Sequence, residues 1–193
     1  MNIQDQLNRV ITLPSPPQRI ISLVPSQTEL LFDLGLATRI VGRTKFCVHP
    51  AEQIAKIPII GGTKQFRFKL IEQLQPDLIL GNKEENYEEG SSQLAGQYPV
   101  WLSDIATLED GLAMIAAVGE MTGTAGKTAV LAQHIQAKFN ALHPIQRPFR
   151  VAYLIWQKPF MAVGGNTFIN DMLSRCGFTN VFASRADSRY PQT

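Results

Sequence analysis

Four short apolar segments, separated by longer amphipathic ones, are the feature that most restricts how this chain can fold. Residues 19–24, 40–42, 77–80 and 99–102 are rich in aliphatic side chains and short enough to be buried strands. The stretches between them have helical spacing. Strands that alternate with helices pair in parallel and form an open sheet. The first half of the chain therefore predicts one complete α/β lobe.

Capping residues indicate where the helices of this lobe begin and end. Ser26 and Glu29 have the spacing of a capping box, which predicts a helix that begins at Ser26. Gly35 is expected to end that helix, because glycine adopts the left-handed conformation that terminates helices. Residues 68–74 and 84–97 predict two further helices.

The second half of the chain has a different order of elements. Residues 108–122 and 127–142 carry apolar side chains at helical spacing and predict two consecutive helices. A strand at 150–155, a helix at 167–176 and a strand at 180–182 are predicted after them. The pattern predicts one complete α/β lobe, a helical connector and about half of a second lobe.

These elements divide the chain into three parts. Residues 1–122 are predicted to form the N-terminal α/β lobe, residues 123–144 the bridging helix, and residues 145–193 part of a C-terminal α/β lobe. The first nine residues are polar and lack the apolar segment of a secretory signal peptide. An export signal is therefore expected either to have been removed or to be absent from a cytoplasmic form.

Composition excludes several classes of partner. Charged residues make up 18% of the 193 residues, and the net charge is +2. No cluster of Lys and Arg stands out, so neither a nucleic acid nor an anionic membrane surface is expected as a partner. The chain is expected to be a monomer that binds a small molecule.

Candidate site residues follow the predicted strands, because open parallel sheets bind ligands beyond the carboxyl ends of their strands. Four of them are aromatic or amide side chains, namely Phe46, Asn82, Trp156 and Phe160. Charged side chains and a histidine accompany them: Lys45, His49, Lys83, Glu84, Asp104 and Lys158. Such a mixture is more typical of an amphipathic cleft than of a catalytic centre, and no nucleophile-elbow motif is present.

Two local patterns resemble other kinds of site. Residues 121–128 (MTGTAGKT) come close to a phosphate-binding P-loop, but Met121 replaces the first glycine and a helix is predicted where a strand must precede the motif. The glycines are instead expected to separate two helices. The three histidines, His49, His134 and His143, lack metal-ligand spacing, so no metal site is expected.

Several ordered motifs resemble those of one protein family, the helical-backbone (type III) periplasmic binding proteins of ABC importers, which include receptors for cobalamin, ferric siderophores and haem. The motifs, in chain order, are residues 13–30 (LPSPPQRIISLVPSQTEL), Gly61-Gly62-Thr63, residues 74–79 (LQPDLI), Gly164-Gly165, Cys176-Gly177-Phe178 and Asn180-Val181-Phe182. Together they span most of the chain.

The resemblance implies an α/β fold of two Rossmann-like lobes with open, mostly parallel sheets joined by one long helix, the second lobe being incomplete. The ligand is expected to be held between the lobes. The resemblance also implies that Phe46, Trp156 and Phe160 are cleft aromatics that stack on a large flat ligand. Asn82 lies where the cobalamin receptor has an aromatic residue, which is a departure from that receptor. No cofactor is implied beyond the ligand, which is a cobalamin-like molecule or a ferric complex.

The resemblance further implies a partner in the membrane. Family members dock on an ABC permease through a surface carboxylate on each lobe, which places them in the periplasm or tethers them outside the membrane. Lys69 occupies the position of the first-lobe carboxylate, and Glu72, one turn later, is the candidate substitute. The position of the second-lobe carboxylate lies beyond Thr193.

Four hypotheses remain open at this point. The first is a receptor for a corrinoid, and the second is a receptor for a ferric siderophore or haem, in which His49 is a candidate axial ligand. A cytoplasmic corrinoid-handling protein is the third. The fourth is an enzyme that uses Cys47 and His49, which is not expected because no third group orients the pair.

The two tryptophans are predicted to differ in function. Trp156 is expected to face the ligand, whereas Trp101 lies within a predicted strand and is expected to be core. Replacement of Trp156 by alanine should therefore weaken ligand binding more than Trp101→Ala does, as measured by titration of both variants with cyanocobalamin. Equal losses of affinity in the two folded variants would contradict this assignment.

Overall fold

The computed structural model describes residues 1–143, 145, 149–185 and 189–193. The chain forms two compact units. The first unit consists of Met1–Asp104 and Met114–Thr128, and the second of Ile105–Ala113 and Ala129–Thr193. The predicted bridging segment 123–144 ends at a residue outside the described ranges, and its bridging role stays a prediction.

A four-stranded parallel sheet lies at the centre of the first unit. The strands of this unit are β1 (Asn2–Gln4), β2 (Val10–Thr12), β3 (Ile20–Ser22), β4 (Ile40–Arg43), β5 (Gly61–Gly62), β6 (Gln65–Phe66), β7 (Leu78–Asn82) and β8 (Val100–Ser103). The order in the sheet is β4-β3-β7-β8, and all three pairings are parallel. The predicted α/β class is therefore confirmed.

The sheet is buried because its central strands carry aliphatic side chains on both faces. Ile20 and Ile21 of β3, and Leu78, Ile79 and Leu80 of β7, are fully buried. Strands covered on both faces by helices read as continuous apolar runs, which is how these strands could be located in the sequence. Burial of each such side chain contributes about 1.5–3 kcal/mol relative to an exposed one.

Helices connect the strands. They are α1 (Pro25–Asp33), α2 (Ala51–Ile54), α3 (Phe68–Leu74), α4 (Glu88–Ala95), α5 (Leu108–Thr122) and α6 (Ala125–Asn140), with a 3₁₀ turn at Ala37–Arg39. The predicted bounds of α3 and α5 are confirmed. The helix predicted at 84–97 is shorter and forms α4, because the extended backbone of Tyr87 (φ −81°, ψ 140°) separates the turn at residues 83–85 from the helix.

The start of α1 differs from the prediction. The helix begins at Pro25 with Val24 as its N-cap, and no side chain caps it. Proline suits the first helical position because its φ angle is already helical and the N–H that it lacks has no partner there. Ser26 consequently lies inside the first turn, and the predicted capping box is wrong. Gly35, with a φ of +78°, follows the helix as predicted.

The strands β1 and β2 form an antiparallel hairpin, which the polar composition of the first residues did not indicate. Its loop is organised by the buried carboxylate of Asp5, which accepts a hydrogen bond from the backbone N–H of Arg9 and pairs with the Arg9 guanidinium at 2.6 Å. The indole N–H of Trp101 donates to the carbonyl of Gln4 at 3.3 Å. Trp101 is 1% exposed, which confirms it as core. The hairpin is thereby tied to β8.

A capping box is present at the start of α5. The backbone N–H of Asp110 donates to the Thr107 hydroxyl at 3.1 Å, and the backbone N–H of Thr107 donates to the Asp110 carboxylate at 2.9 Å. Burial raises the pKa of Asp110, but hydrogen bonds from the Thr107 side chain and from the N–H groups of Ala106 and Thr107 outweigh it, so the pKa lies below its usual value. The ionised carboxylate therefore stabilises the fold above its unfolded-state pKa, and this contribution is lost as pH falls through the lower folded-state value.

A break between two helices replaces the P-loop pattern at 121–128, as predicted. Gly123 lies between α5 and α6 with a φ of +74°. The two helices approach closely at Gly119, where an added Cβ would lie 2.0 Å from the Thr128 hydroxyl oxygen. A larger residue at position 119 would therefore force the helices apart.

Within its described residues, the second unit contains two small sheets and one further helix. Its elements beyond residue 140 are β9 (Arg150–Val151), β10 (Leu154–Trp156), β11 (Met161–Ala162), α7 (Phe168–Arg175) and β12 (Thr179–Asn180). β9 pairs with β12 in parallel, and β10 pairs with β11 antiparallel. The single strand predicted at 150–155 is wrong because its two halves pair with different strands. The last strand is also shorter than predicted, since it ends at Asn180.

Polar bonds hold α7 in the second unit. The side-chain amide of Asn180 donates to the carbonyl of Val163 at 2.9 Å and to the Asn170 side chain at 3.0 Å. Asp171 accepts the backbone N–H of Leu108 at 2.8 Å, at the start of α5. No residue of α7 is fully buried. Large apolar side chains of this unit are exposed: Phe149, Tyr153, Leu154, Ile155, Trp156, Phe160, Phe168 and Val181.

None of the helices in the described ranges combines the length with the apolar character that a membrane crossing requires.

The capping box of α5 and the absent one of α1 make a matched pair of substitutions. Thr107→Ala removes an N-cap and should lower the free energy of unfolding by about 1 kcal/mol. Ser26→Ala removes an exposed hydroxyl that caps nothing and should change it by less than about 0.5 kcal/mol. Urea denaturation measures both. A larger loss for Ser26→Ala than for Thr107→Ala would show that the caps are assigned to the wrong helix.

Candidate ligand-binding site

The carboxyl ends of the parallel strands define one edge of the sheet in the first unit. Because β3, β4, β7 and β8 all run in the same direction, the segments that follow Ser22, Arg43, Asn82 and Ser103 emerge at this edge. Ligands of open α/β sheets bind at such an edge. Two of the four predicted ligand-binding residues, Phe46 and Asn82, belong to it.

Phe46 lies at the tip of a tight turn of residues 44–47, called here the Phe46 turn. The backbone N–H of Cys47 donates to the carbonyl of Thr44 at 3.1 Å and closes the turn. The N–H of Lys45 donates to the carbonyl of Gly61 at 2.8 Å, which ties the turn to β5. The side chain of Phe46 is 49% exposed, so one part of its ring is available to a ligand.

A positive charge lies next to Phe46. The ammonium of Lys45 lies 5.1 Å from the centroid of the Phe46 ring, within cation–π range. Val48 is exposed beside it in the chain.

The thiol of Cys47 is a structural group. It is fully buried and lies 3.1 Å from the Thr28 hydroxyl and 3.3 Å from the Thr44 hydroxyl. The Thr28 hydroxyl is also 2.7 Å from that of Ser22, at the end of β3. Cys47 therefore anchors the Phe46 turn to β3 and α1. His49, the proposed partner of Cys47 in catalysis, is exposed.

Asn82 is engaged by the protein itself. Its side-chain N–H₂ donates to the hydroxyl of Ser103 at 3.0 Å. Its side-chain oxygen accepts the backbone N–H groups of Glu84 at 2.9 Å and Glu85 at 3.1 Å. The backbone N–H of Asn82 donates to the Asn86 side chain at 2.8 Å. An aromatic residue could make none of these side-chain bonds, which explains why the turn after β7 carries an amide here.

A buried polar layer supports this edge from below. The side-chain N–H₂ of Gln27, in α1, donates to the carbonyl of Gly81 at 2.9 Å and to the Ser103 hydroxyl at 3.0 Å. Among the described residues, the side-chain oxygen of Gln27 has no hydrogen-bond partner. Buried amides in a hydrogen-bonded layer fix the strand ends in one arrangement.

Charged side chains flank the Asn82 turn. The ammonium of Lys83 pairs with Asp104 at 2.6 Å, and that of Lys64 donates to the carbonyl of Glu84 at 3.1 Å. Although Glu85 as a whole is exposed, partial burial of its carboxyl raises the pKa, Glu84 raises it further, and Lys64 opposes the shift. Glu85 therefore takes up its proton at a higher pH than an ordinary glutamate does.

Trp156 and Phe160 belong to one hairpin of the second unit. Trp156 ends β10 and is 63% exposed, and Phe160 immediately precedes β11 and is 48% exposed. Lys158 and Pro159 form the turn between them, joined by a cis peptide bond. The prediction that these aromatics are not core is consistent with their exposure, and their role in binding stays a prediction.

Glu72, the predicted docking residue, is exposed on α3. Lys69 is exposed three residues earlier on the same helix. Residues three apart lie on the same face of a helix, so the two side chains are neighbours. The docking role of Glu72 stays a prediction.

Two cavities in the first unit lie away from Phe46. One, of about 320 Å³, is lined by Arg9, Val10, Ile11, Thr12, Ala95, Tyr98, Pro99 and Val100. The other, of about 310 Å³, is lined by Leu7, Arg9, Lys83, Asn86, Glu88, Ser91, Ser92 and Leu102. Both are near the lower limit for ligand pockets, and both lie against the N-terminal hairpin loop or strand. Within the described part of the chain, no three His, Cys, Asp or Glu side chains cluster as a metal site would require.

Comparison with known proteins identifies the family. The family model described as "Periplasmic binding protein" matches residues 20–193. Because this match covers most of the chain, the chain belongs to the periplasmic binding protein family, as the ordered motifs predicted.

A curated relative adds sequence similarity of a more specific kind. The vitamin B12-binding protein of Vibrio parahaemolyticus serotype O3:K6 is 28% identical over 184 residues, which cover 92% of this chain and 65% of the relative. The chain thus spans 65% of that relative's length.

Two solved structures share the fold. The periplasmic vitamin B12 binding protein BtuF of Vibrio cholerae has a TM-score of 0.78 and 23% identity, covering 93% of this chain and 71% of BtuF. The periplasmic haem-binding protein RhuT from Roseiflexus sp. RS-1, in its apo form, has a TM-score of 0.78 and 24% identity, covering 91% of this chain and 70% of RhuT. Both confirm the predicted α/β fold of a binding protein.

The bonds of Asn82 predict a graded loss of stability on substitution. Asn82→Ala removes the side-chain acceptor of two backbone N–H groups and one of the donors to the Ser103 hydroxyl, and should cost about 1–3 kcal/mol. Asn82→Asp keeps the oxygen that accepts the two N–H groups and should cost less. Urea denaturation near neutral pH compares the two variants. If Asn82→Ala were as stable as the unsubstituted chain, the amide would not be a structural group.

Proposed function

We propose that this chain captures a corrinoid similar to cobalamin, as the solute-binding component of an ABC importer. The observation that carries the proposal is the 28% identity to a vitamin B12-binding protein over 92% of the chain. Similarity over nearly the whole chain includes the segments after the strands, where binding residues of open α/β sheets lie.

The chemistry of the candidate residues supports a large flat ligand. Phe46, Trp156 and Phe160 are all exposed although they are aromatic. Stacking of a ring on the face of a macrocycle buries apolar area on both partners and adds about 0.5–1.5 kcal/mol for each favourable aromatic contact. The exposed ammonium of Lys45 is available next to Phe46 for the polar rim of such a ligand.

A ferric complex is the second candidate ligand. The structural similarity to a haem-binding protein, RhuT, favours it as strongly as the similarity to BtuF favours a corrinoid, since the two TM-scores are equal. Haem is also a flat macrocycle, so exposed aromatics suit both ligands. The two differ in the rim, which is rich in amides in cobalamin and carries carboxylates in haem.

Delivery to a membrane permease completes the proposal. Glu72 presents a carboxylate on the exposed face of α3, where an arginine of the permease would pair with it. Such a role places the protein outside the cytoplasmic membrane. In this function the protein acts as a monomer, binds no nucleic acid and catalyses no reaction.

Calorimetric titration with cyanocobalamin, ferrichrome as a ferric siderophore, and haemin tests the proposal. Saturable one-to-one binding of cyanocobalamin is expected. Phe46→Ala should weaken it about two- to tenfold, which corresponds to the loss of one aromatic contact. Val10→Ala, which removes an exposed apolar side chain from the N-terminal hairpin, is the matched control and should bind as the unsubstituted chain does.

The other outcomes of this titration are equally informative. Binding of haemin or ferrichrome without binding of cyanocobalamin would replace the corrinoid by an iron ligand. If none of the three ligands bound to the folded chain, the proposal that this chain captures such a ligand would be wrong.

A further inference from the structure

Arg43 is a buried cation at the carboxyl end of β4. It is 8% exposed, and none of the ion pairs among the described residues includes it. A buried charge without a counter-ion lowers stability unless hydrogen bonds compensate it. The partners of its guanidinium therefore indicate why an arginine occupies this position.

Those partners are the two ends of the Phe46 turn. One guanidinium nitrogen, Nη1, donates to the carbonyl of Cys47 at 3.0 Å and more weakly to that of Thr44 at 3.4 Å. Within the described ranges, the Nε–H of Arg43 has no hydrogen-bond partner. Arg43 thus places a charge in the interior and bonds to the turn that presents Phe46, although its buried Nε–H gains no hydrogen bond.

Among the hydrogen bonds of the turn in the described part of the chain, only that from Arg43 involves the carbonyl of Cys47. The Cys47 thiol is held from the inner side by the hydroxyls of Thr28 and Thr44, and the N–H of Lys45 is held by Gly61. None of these contacts engages the carbonyl of Cys47. The bond from the Cys47 N–H to the Thr44 carbonyl closes the turn. The guanidinium bond to the Cys47 carbonyl, with the weaker one to Thr44, holds the closed turn against the end of β4, and thereby sets the direction of the side chain at its tip.

We infer that Arg43 is a positioning residue of the ligand site, which holds the Phe46 turn so that the phenyl ring has one orientation before the ligand arrives. The inference rests on the proposed function, because it assigns Phe46 the role of a stacking group. Fixing the ring in advance strengthens binding, because the turn then loses less conformational entropy when the ligand binds.

A double-mutant cycle tests the coupling between the two residues. The unsubstituted chain, Arg43→Gln, Phe46→Ala and the double variant are titrated with cyanocobalamin by calorimetry. Phe46→Ala and Arg43→Gln should each weaken binding, by about two- to tenfold for the loss of one aromatic contact. The double variant should bind no more weakly than Phe46→Ala alone, because without the ring its orientation no longer matters.

Arg39→Gln is the matched control. The guanidinium of Arg39 also donates to two backbone carbonyls, those of Pro17 at 3.3 Å and Thr122 at 3.0 Å, but not within the Phe46 turn. Its loss should lower the melting temperature without changing the affinity. If the losses from Arg43→Gln and Phe46→Ala were additive, Arg43 would act on binding without Phe46 and the inference would be wrong, while the proposed function would stand.

A measurement without ligand separates this inference from the proposed function. With 4-fluorophenylalanine at position 46, fluorine NMR should show one dispersed resonance in the unsubstituted chain and in Arg39→Gln. In Arg43→Gln the resonance should move towards that of the free amino acid and sharpen as the ring gains freedom. Arg43→Lys, which keeps the charge but lacks the planar guanidinium, should move it in the same direction and replaces Arg43→Gln if that variant fails to fold. An unchanged spectrum in the folded variants would overturn the inference, whether or not the chain binds a corrinoid.

Discussion

The pairing of β3 with strands on both of its sides is the interaction on which the first unit depends. Ile20, Ile21 and Ser22 are fully buried and pair in parallel with β4 on one side and β7 on the other. Parallel neighbours cannot be joined by tight hairpins, so each connection has to cross over the sheet, and helices make these crossings. Every strand of the sheet then ends at the same edge, which brings Phe46 and Asn82 to one side of the sheet although they are distant in sequence.

Buried hydrogen bonds beneath this edge of the sheet restrict the geometry of the strand ends. Ser22, Thr28 and the Cys47 thiol form one connected group below the Phe46 turn, and Gln27 and Ser103 form another below Asn82. Buried polar groups lower stability unless they are hydrogen-bonded, and the bonds within each group leave it few alternative arrangements, although the side-chain oxygen of Gln27 has no partner among the described residues. The polar residues at the ends of otherwise apolar strands therefore contribute geometry more than stability. This division of roles is the one expected where a surface has to keep its shape for a ligand.

Some of this could be predicted from sequence, because the governing patterns are local. Continuous aliphatic runs located the strands of the sheet, and helical spacing located α3 and α5 within their observed bounds. The C-terminal end of α1 was predictable because it is followed by Gly35, and glycine readily adopts the positive φ found there. In contrast, Ser26 matched a capping pattern that Pro25 makes unnecessary by starting the helix one residue earlier.

Other features depend on contacts between residues far apart in the chain, and no local pattern reveals them. The hairpin at residues 1–12 is stabilised by the buried Asp5 and by the indole of Trp101, and its polar sequence gives no strand signal. Asn82 was recognised as a site residue by its position after a strand, but its partner Ser103 lies at the end of a neighbouring strand. Strand order is needed before such a pair can be foreseen.

The hydrogen bonds of Asn82 limit which residues at this edge of the sheet can recognise polar groups on the rim of a ligand. An amide whose two hydrogen-bonding groups are already satisfied by the protein gains little by exchanging those bonds for bonds to a ligand, since the net free energy of a hydrogen bond is the difference between two partners. Asn82 is in this position, whereas Lys45 is exposed and its ammonium lies over the ring of Phe46. Polar contacts from this edge therefore fall to the residues around the Phe46 turn, and the orientation of that turn governs the stacking surface that Phe46 offers.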